Sequence, residues 1–436
     1  MGYDEDRQSG RVAIEPAIPG GTSAAKTPWG LVVLLFFTAA ASYLCRVNIS
    51  VVGALMMRDL GFSQIDMGRL FSAFLLGYAL FQIPAGVSAD RWGAGRVLGF
   101  AAIAWVLVVA CMAALGWGPL GTGVVSAYSV LIGLRFVLGI SESPTFPAAA
   151  QGVARWVPPI RQGFANGIVM GAIGAGSAVS PAVLSRVMVR WGWRVAMRSS
   201  ALPALIVACI WMTMRRTAWN AAKTHPVVET PVPHPAGKSL WSRSFILLTV
   251  SYTLEGYVAY ILIFWFYLYL VDVRHFDLLR AGNLSSLPGA LSIISIPLGG
   301  FISDRLVAGP MGSRWGRRAI PIIGFCFSAI FLVLGAGTAS AGAAVVYLAL
   351  ATASILSVEA PFWATMMEVA ETRSGTGGGV MNCGCNIGGV ISPVLTPMLA
   401  AYMGWKNALY VAAALAFLGA GLWLGISPSL PDHPQT

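Results

Sequence analysis

Twelve long apolar runs constrain the fold of this chain more than any other feature. A helix needs about 20 apolar residues to cross the hydrocarbon core of a bilayer. Only 10% of the 436 residues are charged and 57% are hydrophobic, whereas soluble domains carry about 25% charged residues. The sequence therefore predicts an all-α membrane protein with transmembrane helices at 29–56, 66–88, 96–115, 124–147, 162–188, 195–214, 245–271, 282–302, 318–337, 341–367, 376–402 and 407–426.

The longest polar interruption divides these runs into two sets of six. Residues 215–244 contain four prolines together with Lys223, Glu229 and Lys238, a composition typical of a linker. The sequence thus predicts a tail, a six-helix bundle, a linker, a second six-helix bundle and a second tail, at residues 1–28, 29–214, 215–244, 245–426 and 427–436.

The Lys and Arg residues are distributed unevenly between the two sides of the predicted bundles. Seventeen of the 28 lie on the side that holds both tails and the linker, and nine lie on the other side. Since cytoplasmic loops carry the excess of positive charge, we expect both termini to be cytoplasmic in a cell membrane such as a bacterial inner membrane. The net charge of +11 then reflects this bias, and no nucleic-acid partner is expected.

The two predicted bundles repeat one another in sequence. The stretch from Gly86 to Arg91 recurs at 300–305, an offset of 214 residues, and each copy follows the second helix of its bundle. Such duplication is typical of transporters that bind substrate between two halves. A second set recurs at an offset of 212 residues, with Gly163, Gly167, Gly176, Ser180, Pro181 and Trp193 matched by Gly375, Gly379, Gly388, Ser392, Pro393 and Trp405.

Several short motifs resemble those of a large family of membrane transporters. The loop G-x-x-x-D-R-x-G that begins at Gly86 resembles the signature loop of the major facilitator superfamily. Within it, the stretches around Arg46 and from Arg135 to Glu142 resemble the anion:cation symporter family. The resemblance implies the major facilitator fold with two pseudo-repeated halves. It also implies symport of a small organic anion, such as a sugar acid or an aromatic acid, with a coupling proton or sodium ion.

The resemblance further implies roles for individual residues. Relatives bind the substrate carboxylate with arginines that match Arg46 and Arg135, and the planar guanidinium suits a carboxylate better than lysine does. Other positions that relatives use around the substrate match Tyr43, Tyr78, Trp363 and Asn382. The repeated loops imply gates that hold the halves in one state through Asp90, Arg91, Asp304 and Arg305.

Two features of the loops and helices can be read without the family. Asp90 and Asp304 are small acceptors suited to capping helix N-termini. Glycines recur every four residues at Gly163, Gly167 and Gly171, a spacing that favours close approach between helices. Gly384 and Gly388 repeat this spacing in the second bundle.

Five charged residues fall well inside predicted spans, away from the span ends, where a charge costs at least ~2.5 to 3.5 kcal/mol on insertion scales. They are Arg46, Arg135, Glu142, Glu255 and Glu359. Two arginines in an apolar bundle need an anion, and we expect that anion to be the substrate. The alternative is that each arginine pairs permanently with a buried glutamate and only holds helices together.

Glu142 is the predicted proton carrier. It lies seven residues after Arg135, on the same helix face and about 10 Å away along the axis, so the two residues line one cavity. The alternative is a structural carboxyl group hydrogen-bonded to backbone freed by Pro144 and Pro147. For Glu255 and Glu359 a structural role is favoured over a functional one.

One departure from the family bears on coupling. Relatives have an aspartate immediately before the arginine of helix 1, and this chain has Cys45. Because that aspartate is thought to take part in proton coupling, its absence keeps an uncoupled facilitator or an exchanger open as an alternative. An efflux pump and a non-transporting sensor are less favoured.

No catalytic or cofactor chemistry is predicted. The residues show no nucleophile, base and orienting group at recognisable spacing, so the chain is not expected to be an enzyme. The cysteines lie in apolar segments and are interpreted as packing residues without a metal: Cys45, Cys111, Cys209, Cys326, Cys383 and Cys385. The expected partners are the anion, the coupling ion and membrane lipid.

Overall fold

The computed structural model describes residues 28–115, 124–214, 240–370 and 374–427, and these residues form helices joined by short turns. We number the transmembrane helices α1 to α12 in chain order. The predicted tails, except Pro28 and Ser427, lie outside the described residues. So do residues 215–239 of the predicted linker.

The helices agree with the predicted spans, and most are longer. They are α1 Trp29–Leu60, α2 Gln64–Trp92, α3 Ala94–Ala114, α4 Val124–Glu142 with Thr145–Trp156, α5 Pro159–Trp191, α6 Trp193–Ser199 with Leu202–Thr213, α7 Arg243–Asp272, α8 Leu278–Leu284 with Ser286–Ala308, α9 Gly312–Gly337 and α10 Ala341–Leu356 with Glu359–Ala370. The last stretch, Ser374–Trp423, contains α11 at residues 374–403 and α12 at residues 405–423, divided at Gly404.

The described residues confirm the predicted count of twelve transmembrane helices. Ten helical stretches there are long and apolar enough to cross a membrane. One of them contains Gly404 with φ 83° and ψ 154°, a conformation that ends one helix and starts another. The stretch Val124–Glu142, continued by Thr145–Trp156, supplies the remaining span.

Local sequence signals explain where several helices begin. At the start of α2, Ser63 and Asp66 form a reciprocal capping box, in which the Ser63 hydroxyl accepts from the Asp66 N–H at 3.1 Å. Ser242, Asp277 and Ser340 accept backbone N–H bonds at the starts of α7, α8 and α10. These caps satisfy N–H groups that the first helical turn leaves without partners.

The two six-helix halves contact each other mainly toward one end of the bundle. We call the end that holds Thr213 and Arg243 the linker end and the opposite end the distal end. At the distal end α2 packs on α11, where the Ser72 hydroxyl donates to the Val390 carbonyl at 2.6 Å. Gln64 of α2 also donates to Asp272 of α7 at 3.2 Å.

Glycines allow close contacts between helices, but only some of the predicted glycines do so. A Cβ added at Gly68 would collide with the Pro393 carbonyl, and one added at Gly282 would lie 2.7 Å from the Pro181 carbonyl. Gly384 and Gly388 do allow close approach, since both lie against Thr253 of α7. For Gly167 and Gly171 the prediction was wrong, because an added Cβ would have no neighbour within 4 Å. A four-residue spacing identifies a helix face and does not say what the face packs against.

Candidate functional site

A buried ion pair joins the first and fourth helices of the N-terminal half. Arg46 lies in α1 and Glu142 ends the first segment of α4. The Arg46 Nε donates to the Glu142 Oε2 at 3.3 Å, and the two side chains are 1% and 0% exposed. The predicted charges therefore meet inside the bundle, but Glu142 binds Arg46 and not Arg135, the residue that shares its helix.

Aromatic rings surround the Arg46 guanidinium. Its Cζ lies 4.4 Å from the ring centroid of Tyr43, 4.5 Å from that of Tyr78 and 5.0 Å from that of Phe74. The Tyr43 hydroxyl also accepts from the Arg46 Nη1 at 3.3 Å. Ring faces attract a cation and exclude water from it. Tyr43 and Tyr78 were predicted near the site, whereas Phe74 was missed although it lies one turn from Tyr78 on α2.

Arg135 lies beside this pair without a carboxylate partner. Its Nη2 donates to the Arg46 carbonyl at 3.2 Å, and its Cζ lies 4.8 Å from the Phe74 ring centroid. The Nε and Nη1 of Arg135 and the Nη2 of Arg46 are buried and have no hydrogen-bond partner. Among the described residues one carboxylate thus faces two guanidinium groups. Unused charged donors in a dry, positively charged cluster favour binding of an anion.

The predicted alternative, in which each arginine pairs with a glutamate, applies to Arg46 only. Cys45, which replaces the expected aspartate, is buried, and its thiol donates to the Ser200 carbonyl at 3.6 Å. Asn48 donates to the Ser200 hydroxyl at 2.8 Å. These bonds join α1 to the bend between the two segments of α6, so Cys45 packs at a helix junction.

Asn382 and Trp363 lie in the C-terminal half and contact polar partners. Asn382 of α11 donates to Gln82 of α2 and so links the two halves on the linker side of their middle. The Trp363 Nε1 donates to the Glu359 Oε1 at 3.2 Å. Gln82 was missed by the sequence interpretation, because a single polar residue near Pro84 carried no motif.

Two further carboxyl groups lie in the C-terminal half. The Tyr252 hydroxyl donates to the Glu359 Oε1 at 2.5 Å, and the Cys385 thiol donates to the Glu255 Oε2 at 3.5 Å. Glu255 is 2% exposed. These side chains come from α7, α10 and α11, and none of the described Lys or Arg residues forms a salt bridge with either glutamate.

The repeated loop residues make contacts within their own halves. Asp90 accepts from the Gln151 Nε2 at 3.2 Å, and Asp304 forms a salt bridge with Arg317, which also binds Glu368 at 2.7 Å. The prediction that Asp90 and Asp304 cap helix N-termini was wrong. At α3 the Ala94 N–H is accepted by the Gln151 Oε1 at 2.9 Å, and α9 has no side-chain cap.

The neighbouring arginines of these loops are exposed. Arg91 lies in the last turn of α2. Arg305 lies over the Phe301 ring, with 4.7 Å between its Cζ and the ring centroid. Neither forms a salt bridge between the halves among the described residues. A role as a latch between the halves stays a prediction.

A small cavity lies between the halves and reaches α1 at Val47, the residue after Arg46. It is lined by apolar and hydroxyl side chains, among them Val47, Ser50, Ser177, Phe266 and Ser292. No charged residue lines it, so the arginines and the cavity are neighbouring but separate features. Within the described residues there is also no group of three or more His, Cys, Asp or Glu residues that could hold a metal ion.

Curated relatives align along nearly the whole chain. The Probable sulfoacetate transporter SauU of Cupriavidus necator is 29% identical over 420 residues, which cover 93% of this chain and 95% of that protein. The Hexuronate transporter of Bacillus subtilis is 26% identical, covering 88% and 91% of the two chains. The Probable galactarate/D-glucarate transporter GudP of the same species is also 26% identical, covering 90% and 89%.

Solved structures share the fold at low sequence identity. A bacterial homologue of the human lysosomal transporter Spinster, in an inward-facing and occupied conformation, aligns with a TM-score of 0.75 at 16% identity. The alignment covers 92% of this chain and 97% of that one. The D-xylose-proton symporter aligns with a TM-score of 0.71 at 15% identity, over 92% and 98% of the two chains.

The family model of the Major Facilitator Superfamily matches residues 35–308 and 305–436. These matches cover most of the chain and both halves of the bundle. They confirm the resemblance drawn from the loop motifs and the prediction of a transporter in place of an enzyme. The chain belongs to the Major Facilitator Superfamily.

Proposed function

We propose that this protein carries a small organic anion across the membrane by alternating access, together with a proton. The curated relatives include sulfoacetate, hexuronate and galactarate/D-glucarate transporters, and this supports an anionic substrate. The observation that carries the proposal is Arg135, which is fully buried and retains two N–H donors without partners beside Arg46. A carboxylate or sulfonate group matches these donors in charge and geometry.

Coupling follows from competition for Arg46. While Glu142 is ionised, it holds the Arg46 Nε and offsets part of the positive charge of the cluster. A proton on Glu142 weakens this pair and leaves Arg46 free to bind the substrate together with Arg135. The anion and the proton therefore favour each other's binding, as symport requires.

The other predicted site residues complete the substrate cavity in this proposal. Tyr43 and Tyr78 hold Arg46 in place through their rings, and Trp363 and Asn382 supply N–H donors from the C-terminal half. The bond between Asn382 and Gln82 has to break whenever the halves separate at the linker end. In the opposite state the packing of Gly68 on Pro393 has to open.

The two halves, residues 29–214 and 245–426, act in this proposal as the moving bodies, with residues 215–244 as a cytoplasmic linker. The distribution of Lys and Arg supports this orientation. We expect a cysteine introduced in the linker to react with an impermeant reagent only in inside-out vesicles. A cysteine at Gly118 or Gly121 should react in intact cells. Labelling of the linker in intact cells would reverse the orientation.

Thermal stabilisation of the purified protein tests the substrate proposal. A ligand that binds only the folded state raises its apparent stability. The panel comprises sulfoacetate, glucuronate, D-glucarate, an aromatic acid and neutral sugars of matching size. We expect at least one anion to stabilise the wild type, and the same anion to lose its effect on Arg135→Ala. Equal stabilisation by a neutral sugar and its acid would contradict anion recognition by the arginines.

An uncoupled facilitator or exchanger is the second candidate, and Cys45 favours it. A buried thiol that donates to the Ser200 carbonyl is a poor proton carrier. If the wild type in proteoliposomes exchanges substrate but never concentrates it under a proton or sodium gradient, this candidate replaces symport. The substrate proposal would survive that result.

A further inference from the structure

The acidic cluster of the C-terminal half consists of Glu255 in α7 and Glu359 in α10. The Glu359 carboxyl accepts from Tyr252, which lies one turn before Glu255 on α7, so both carboxyl groups border the same face of α7. The donors around them are neutral: the Tyr252 hydroxyl and the Trp363 indole for Glu359, and the Cys385 thiol for Glu255. No cation within the described part of the chain pairs with either carboxyl group.

Two ionised carboxylates are difficult to maintain inside the bundle with only neutral donors around them. Placing a charge inside the bilayer is costly, and neighbouring like charges raise the cost further. One proton bound to the pair removes one of the two charges. The arrangement of the pair therefore favours a state that holds at least one proton.

The poor solvation of Glu255 points independently to a bound proton. Glu255 is 2% exposed. The Cys385 thiol, at 3.5 Å, is its one hydrogen-bond donor among the described residues. A thiol is a weak donor, so it cannot replace the hydration that an ionised carboxylate loses on burial. Glu359, by contrast, receives both a phenol and an indole donor.

The acidic cluster is also linked to the arginine cluster across the halves. Asn382 lies one turn before Cys385 on α11 and donates to Gln82 of α2. Gln82 lies one turn after Tyr78, whose ring covers the Arg46 guanidinium. The two clusters are therefore neighbours across the contact between the halves.

We propose that Glu255 and Glu359 form a second proton-binding site, which holds one proton in the empty carrier and takes up another when the anion binds. The proposal rests on the proposed function for its second step only. The arginine cluster carries one net positive charge, and the singly protonated pair carries one negative charge. Entry of a dianion such as sulfoacetate or D-glucarate adds two negative charges. The proton that Glu142 takes up in the proposed function offsets one of them, and a second proton, bound to the remaining carboxylate of the pair, offsets the other.

A proton suits this site better than a sodium ion. The groups that face the two carboxyls are a phenol, an indole and a thiol, and they point hydrogen atoms at the carboxyl oxygens. Hard cations need several oxygen ligands around them. The side chains that surround the pair offer few free oxygen atoms for that purpose.

Infrared spectroscopy of the substrate-free protein tests the first step. Subtracting the spectrum of Glu255→Gln/Glu359→Gln from that of the wild type should leave the absorption of a protonated carboxyl group at neutral pH. Glu142→Gln should retain that absorption. Asp277→Asn is the matched control, because Asp277 is an exposed cap and asparagine caps equally well. If the double variant does not fold, Glu255→Gln alone serves in its place.

A difference spectrum with only ionised carboxylate bands would overturn the proposal. So would bands that shift on addition of sodium chloride but not with pH. The infrared experiment uses no substrate, so its result stands whether or not the transport proposal holds.

The second step is tested by proton uptake on binding. The probes are sulfoacetate and D-glucarate, added to weakly buffered protein with a pH indicator. We expect the wild type to take up about one more proton per bound anion than Glu255→Gln/Glu359→Gln does. Equal uptake by the two proteins would remove the pair from coupling. If neither anion stabilises the wild type, the proposed substrate class fails, and the infrared result still decides whether the pair holds a proton.

Discussion

The two halves carry the charges that lie well inside their spans on the same pair of helices, but with opposite net sign. In the N-terminal half, α1 and α4 hold Arg46, Arg135 and Glu142. In the C-terminal half, the corresponding first and fourth helices are α7 and α10, and they hold Glu255 and Glu359. The duplicated scaffold thus determines where a charge can face the interior, and the individual residues determine what it attracts.

The packing around the charges differs in the same way. Aromatic faces of Tyr43, Phe74 and Tyr78 cover the Arg46 guanidinium. In the other half, hydroxyl and indole hydrogens point at the Glu359 carboxyl. Ring faces stabilise cations and hydrogen-bond donors stabilise carboxyl oxygens. The comparison supports the proposal that the anion binds in the N-terminal half, and the predictions below test this proposal.

The largest effect is expected at Arg135. Arg135→Lys keeps the positive charge but loses the planar fork, so the Kd of the stabilising anion should rise about tenfold or more. Arg46→Ala and Arg135→Ala should each abolish measurable binding. The measurement is anion titration of purified protein, with exposed Arg58→Lys as the control. Wild-type affinity in both alanine variants would make the arginines structural and remove the contrast between the halves.

The next effect concerns coupling through Glu142. Glu142→Gln cannot take up and release a proton, so accumulation driven by a pH gradient should fall to what the C-terminal pair alone supports. Counterflow without a gradient should persist, because Arg46 and Arg135 remain. Both are measured in the same proteoliposome preparation. If the variant concentrates substrate as strongly as the wild type, the coupling proton does not depend on Glu142, and the C-terminal pair becomes the main candidate.

The contact between the halves should be sensitive to a single methyl group. Gly68→Ala adds a Cβ that collides with the Pro393 carbonyl, and overpacking of this kind costs about 1 to 3 kcal/mol. We expect the state closed at the distal end to be destabilised and counterflow to slow. Gly171→Ala is the matched control, since its Cβ would meet nothing within 4 Å. Equal rates in the two variants would mean that α2 and α11 do not need to approach so closely.

The smallest effect is expected at Tyr252. Tyr252→Phe removes one hydrogen bond to Glu359 and leaves both carboxyl groups in place. A single hydrogen bond to a charged group contributes about 1.5 to 3 kcal/mol. The pH at which transport is half-maximal should therefore shift, while the Kd of the anion at its optimal pH stays close to that of the wild type. A changed Kd with an unchanged pH profile would place Tyr252 with the substrate instead.

The architecture could be predicted from the sequence because the bilayer imposes it locally. Long apolar runs have to form helices, since no water is present to satisfy backbone groups in the hydrocarbon core. The proline-rich interruption at 215–244 and the repeated loops divided the chain into halves without any knowledge of packing. The five intramembrane charges were found in the same way, because a charge in an apolar run is conspicuous in any sequence.

Which residue meets which could be decided only by the tertiary structure. Helical spacing placed Glu142 on the same face as Arg135, yet its carboxylate binds Arg46 on another helix. Phe74, Gln82 and Tyr252 have no signature of their own, because single aromatic and amide residues are common in spans. The physical reason is that hydropathy depends on each residue alone, whereas pairing depends on the rotation and depth of two helices that are distant in sequence.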